Sequence, residues 1–177
     1  MRHLIILFIV FMPSLSGGIY DFSLTAIDGT SLPLSQLRGK KLLIVVLPAS
    51  RQGRDSLMLL QLDSISRKYP SQLTILGVPS FENGFTTGSL AALRQFYGSV
   101  MGPQLLLAQG VYTNKSSGSG QNTLFAWLTD KNKNGHFDEE VKGPGQKYWV
   151  NETGQLVSVL GPEIVLGDRI MQHLITP

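Results

Sequence analysis

The chain has 177 residues, of which 42% are hydrophobic and 15% charged. That is the composition of one globular domain with a real core, and it excludes a disordered chain. The formal net charge is +3 with Lys and Arg scattered along the chain, so no nucleic-acid surface is expected, and the absence of cysteine removes disulfides, thiolate metal ligands and thiol catalysis together.

The N-terminus reads as an export signal. Met1-Arg2-His3 is a short positive segment, Leu4 to Met12 is an unbroken apolar run, Pro13 breaks it, and Ser14-Leu15-Ser16 offers small residues for cleavage. Cleavage is expected after about Ser16, which leaves residues 17–177 as one domain in the periplasm or outside the cell. Left uncleaved, the same run would be an N-terminal anchor, although it is shorter than the roughly 20 apolar residues a membrane-spanning helix needs. No Cys follows it to carry a lipid, and no transmembrane segment is expected after cleavage.

Residues 19–37 predict a β-hairpin. Tyr20, Phe22 and Leu24 alternate, Asp28-Gly29 is the turn, and Leu32, Leu34 and Leu37 follow. Residues 41–47 are almost all Leu, Ile and Val without alternation, the pattern of a strand covered on both faces. After Pro48 a tight polar turn leads into a helix. Asp55 is its expected cap, Pro70 its stop, and Met58, Leu62, Ile65 and Tyr69 its inward face. Residues 73–78 are a second buried strand, so strand, helix and strand predict a βαβ unit with parallel strands.

Residues 81–88 read as a Gly-rich loop, and 89–97 as a helix facing inward through Leu90, Leu93 and Tyr97. Residues 104–108 read as a brief strand, 114–121 as a surface loop, 124–129 as a short apolar helix and 130–145 as a polar loop. Residues 147–151 and 156–160 flank Glu152-Thr153-Gly154 as a second hairpin. A last helix carries Leu166, Ile170 and Leu174 on one face. The fold class is therefore α/β, with an N-terminal β-hairpin and helices on both faces of a central mixed β-sheet, an arrangement that is thioredoxin-like.

Several segments resemble the glutathione peroxidase family, in order along the chain. Tyr20-Asp21-Phe22 with Asp28-Gly29 is similar to the family's opening YDF…DG, and Gly39 to Val45 to its GKxLLIV strand. Asn122 to Leu128 resembles its HPLFKWL segment, and Gly143 to Val150 with Asn151 to Gly154 its last hairpin. The resemblance implies peroxide reduction by a Cys or selenocysteine in the turn after the first core strand, assisted by a Gln, a Trp and an Asn. Carried over, the reactive position falls on Arg51 without a gap, or on Gln52 with one inserted residue. The Gln position falls on Glu82, and the Trp-Asn pair on Gly143 and Pro144. Neither Arg nor Gln is a nucleophile.

The expectation is a family member without thiol peroxidase activity and without a cofactor, acting by binding a small ligand or a protein partner. An enzyme reusing Arg51, Gln52 and Glu82, or a residual peroxidase working by a non-thiol route, is the alternative. An Arg51–Glu82 ion pair is expected to close the old site. With Glu82 turned away, Arg51 at a helix start would instead hold a carboxylate or phosphate.

Asp130-Lys131-Asn132-Lys133-Asn134-Gly135 matches the first half of a calcium loop, with Asp130, Asn132, Asn134 and Glu140 as candidate ligands, but Val141 holds the twelfth position where Glu is required. The plainer reading is a polar turn. His136 sits beside Asp138 and Glu139 in the same loop, and His173 is expected on the polar side of the last helix. Ser50 lacks a nucleophile elbow and a His partner.

Overall fold

The computed structural model describes residues 18–48, 54–85, 90–98 and 105–176. The expected leader (1–16) and the turn carrying Ser50, Arg51 and Gln52 lie outside the described residues.

The chain opens with a hairpin of β1 (Ser23–Thr25) and β2 (Ser31–Pro33), in which Leu24 faces Leu32. Asp28 closes its turn by accepting from Thr30 N at 2.9 Å and Thr30 Oγ1 at 2.6 Å, and Gly29 takes the left-handed φ of 89° the turn requires. β3 (Lys41–Leu47) leads to α1 (Arg54–Lys68), β4 (Leu73–Pro79), α2 (Leu90–Gly98) and β5 (Leu105–Leu107). Then come the short helices α3 (Thr123–Leu128) and α4 (Lys131–Asn134), the hairpin of β6 (Lys147–Val150) and β7 (Leu156–Leu160), and α5 (Asp168–Ile175).

The main sheet has the order β5-β4-β3-β6-β7. β3 runs parallel to β4, and β4 to β5, while β6 is antiparallel to β3 and β7 to β6. The position of β3 explains its sequence. Leu42, Ile44 and Val46 pack on one side with the N-terminal hairpin and with Leu124, Phe125 and Leu128 of α3. Leu43, Val45 and Leu47 pack on the other with Leu59, Leu62 and Ile65 of α1, Tyr97 of α2, and Met171 and Ile175 of α5. A central strand covered on both faces has no polar side, so its run is continuous rather than alternating. Each such side chain contributes about 1.5–3 kcal/mol on full burial. Gly77 in β4 lets this layer close, because a Cβ there would lie 2.7 Å from Leu47 Cδ1.

The elements follow the expected order, with local differences. In the stretch 19–37 read as one hairpin, Ile19–Asp21 and Leu34–Leu37 are 3-10 turns on either side of the two strands. Asp55 lies in the first turn of α1, which begins at Arg54, rather than at its cap; a carboxylate there still meets the positive end of the helix dipole. Leu59 joins the inward face of α1, while Met58 and Tyr69 stand at its margin. Leu166 precedes α5, whose buried side chains are Met171 and Ile175, four residues apart, with Ile170 and Leu174 packed beside them and His173 exposed. The stretch read as a polar loop contains α4, and residues 115–120 wind into 3-10 turns. Among the described residues no helix is long and apolar enough to cross a membrane.

Candidate functional site

In a sheet of this kind the carboxyl ends of β3 and β4, with the loop entering β6, form the natural place for a ligand. Pro48 follows β3, and its carbonyl accepts from the Tyr97 hydroxyl at 2.5 Å. Burial raises the Tyr97 pKa, and Asp55 raises it further, so this phenol is a buried donor rather than an acid. Arg51 and Gln52, the two positions expected from the resemblance, lie outside the described residues.

Glu82 follows β4 in a 3-10 turn, Phe81–Asn83. Its carboxylate accepts from Ser80 Oγ at 2.6 Å, Ser117 Oγ at 2.7 Å, and the backbone N–H groups of Thr113 and Asn114 at 3.0 Å. Thr113 Oγ1 adds a contact at 3.3 Å. Burial works to raise the Glu82 pKa, but the hydrogen bonds from Ser80, Asn114, Ser117 and Thr113 outweigh it and bring it from 4.5 to about 2. Both oxygens are therefore engaged by the segment 113–117, which Glu82 pins to the end of β4. A carboxylate held this way is a poor general base.

Gly143 and Pro144, on which the resemblance placed a Trp and an Asn, offer neither a charge nor a side-chain hydrogen bond. Their loop is built by backbone contacts. Gly145 N donates to Val46 O at 2.8 Å, Val46 N to Gln146 O at 2.9 Å, and Gln146 N to Gly143 O at 3.2 Å. Lys142 N donates to Gln146 Oε1 at 3.1 Å. Gly143 and Gly145 have φ of 132° and 89°, values that favour glycine. The loop stitches β6 to the end of β3 and adds no reactive group.

The calcium candidates take separate positions. Asp130 caps α4 by accepting from Asn132 N at 3.0 Å. Asn134 is buried: its Oδ1 accepts from His136 N and Phe137 N at 2.8 and 2.7 Å, and its Nδ2 donates to the carbonyls of Trp127, Leu128 and Phe137. Glu140 accepts from Lys115 N and Val141 N. The Asp-Asn-Asn-Gly pattern thus serves a helix turn ended by Gly135 in the left-handed region. His136 is exposed, and among the described residues no group of three or more His, Asp or Glu is placed to hold a metal ion.

Sequence reasoning missed one feature on the α1 side of the sheet. Lys147, the first residue of β6, is buried beneath a groove of about 540 Å³ between α1 and residues 162–165. Burial drives its pKa down from 10.5 to about 8, against the pull of Glu163, which raises it. A Lys opening a strand, with three buried apolar residues after it, reads as an exposed end. The one available hint was that these neighbours do not alternate, which marks a strand with no solvent side.

No family model and no curated protein matches the chain. Solved structures do. Trgpx in its apo form is 20% identical, with 91% of this chain and 97% of that one covered and a TM-score of 0.64. GPX1 from T. cruzi is 19% identical over 91% and 95%, with a TM-score of 0.63. The exposed lipoprotein thioredoxin Etrx1 of Streptococcus pneumoniae is 18% identical over 86% and 96%, with a TM-score of 0.55. The chain has a thioredoxin-like fold, shared with GPX and thioredoxin proteins along most of its length.

Proposed function

We propose that this is an exported, glutathione peroxidase-like protein that has lost thiol peroxidase chemistry and works by binding. The observation that carries this reading is the absence of cysteine from the whole sequence. The peroxidases it resembles attack the peroxide O–O bond with a thiolate or selenolate, and no side chain here can form one. The other positions agree: Gly143 and Pro144 have no polar side chain, and Glu82 is held by Ser80 and by the segment 113–117. That engagement weighs against an enzyme built on Arg51, Gln52 and Glu82, because such an enzyme would need Glu82 free to take a proton.

The test is a turnover assay with hydrogen peroxide and an organic hydroperoxide, with glutathione or thioredoxin as reductant. The wild type is expected to be silent. A gain of activity in Arg51→Cys or Gln52→Cys would identify the position aligned with the family's nucleophile. Specific turnover by the wild type would overturn the reading.

A further inference from the structure

Lys147 is a buried cation with an incomplete set of partners. Across the sheet it lies between Val45 of β3 and Leu160 of β7. Its Nζ donates to Gly145 O at 2.6 Å and to Gly161 O at 3.4 Å. None of the ion pairs among the described residues includes it. A buried ammonium that no carboxylate pairs directly is unfavourable, and two carbonyl dipoles with the more distant Glu163 offset only part of that.

The groove above it is mainly apolar. Leu57, Met58 and Gln61 of α1 form one wall, and Pro162, Ile164 and Val165 the other. Leu57 and Val165 are 68% and 67% exposed, so apolar surface continues to the mouth. The volume of about 540 Å³ suits a small molecule.

We propose that this groove binds a free aliphatic monocarboxylate, with its head group on Lys147 Nζ and its chain along Leu57, Met58, Ile164 and Val165. The ammonium selects an anion, and the walls select an alkyl chain. Of the three N–H donors of an ammonium, two face carbonyls, which leaves one for a single carboxylate oxygen. Glu163 at the rim disfavours a second negative charge, so a phosphate dianion fits less well.

The affinity depends on pH in a fixed direction. Among the described residues Glu163 is the charged group facing Lys147; α1 presents Leu57, Met58 and Gln61, β3 presents Val45 and β7 presents Leu160. Unliganded Lys147 loses its proton near pH 8, whereas a bound carboxylate holds that proton in place. Binding is therefore at full strength below pH 8 and falls about tenfold per pH unit above it. This inference rests on the binding reading above, yet the two fail separately. Peroxide turnover by the wild type would remove that reading and leave the groove, while a ligand titration is blind to turnover.

The experiment is calorimetric titration of the intact protein with octanoate and with neutral octanamide. At pH 7 octanoate is expected to bind at least about tenfold more tightly, the worth of one charge-assisted hydrogen bond. That preference should vanish in Lys147→Met, and octanoate affinity should drop between pH 8 and 9. Leu57→Glu, an exposed change on α1, is expected to weaken octanoate about fivefold or more and serves if Lys147→Met does not fold. No octanoate binding, equal affinity for the two ligands, or affinity unchanged by these substitutions would overturn the proposal.

Discussion

Lys147→Met separates the charge on Lys147 from its packing. In the wild type, burial lowers the Lys147 pKa from 10.5 to about 8. Between those values the unfolded chain carries the proton and the folded chain does not, so raising the pH favours folding. Below pH 8 both states are protonated and the folded state bears the whole penalty of the buried charge. Above pH 10.5 neither is protonated and the penalty is gone. The shift corresponds to about 3 kcal/mol. Met has no titrating group and is similar in length, so the difference in unfolding free energy between wild type and Lys147→Met isolates this one group. Urea unfolding of both proteins at pH 7, 8, 9, 10 and 10.5 should show the wild type gaining on the variant by roughly 3 kcal/mol across that range. Other titrating groups cancel in the difference. A flat difference, or one that moves in favour of the variant as pH rises, would refute the account of Lys147 as a buried, depressed lysine.

Glu82 gives the opposite sign. Its carboxylate is held well below its ordinary pKa by Ser80, Asn114, Ser117 and Thr113, so its stabilisation is complete above pH 4.5 and is lost as pH falls toward 2. Because the residue is exposed at the surface, solvent screening reduces the effect, and Glu82→Gln should lose about 1 kcal/mol of stability at pH 7, with the gap narrowing below pH 4.5 and closing near pH 2, measured by urea unfolding. Asn134→Ala should destabilise by about 2–3 kcal/mol, since it leaves buried carbonyl and N–H groups around residues 127–137 without a partner. The melting temperature of the wild type should be the same with calcium or a chelator, because the Asn134 amide oxygen is already engaged inside the fold; a calcium-dependent rise would show that the segment binds the ion.

The chain order of elements was legible because each rests on a local pattern. β3 and β4 are continuous apolar runs, α1 ends before Pro70, and Asp28-Gly29 and Asn151 to Gly154 mark turns. The phase of α5 was harder to read. Leu166, Ile170 and Leu174 fit a helical period, but Met171 and Ile175 share that period one position on, and the packing of α5 on α1 and β6 decides which set goes in. The absence of a nucleophile was likewise plain from the sequence, since chemistry that needs a thiolate cannot be supplied by folding.

The state of the polar groups was set by tertiary contacts alone. Glu82 was read as the partner of Arg51, which lies outside the described residues; what the sequence did not show is that its acceptors are engaged by Thr113, Asn114 and Ser117, more than thirty residues along the chain. Lys147 looked like the solvated end of a strand until α1 and residues 161–165 closed over it. Local sequence determines backbone form through periodicity, caps and turns, all of which act within a few residues. Whether a charge is solvated, paired or buried depends on which distant segments reach it, and here that decided both the immobilisation of Glu82 and the burial of Lys147.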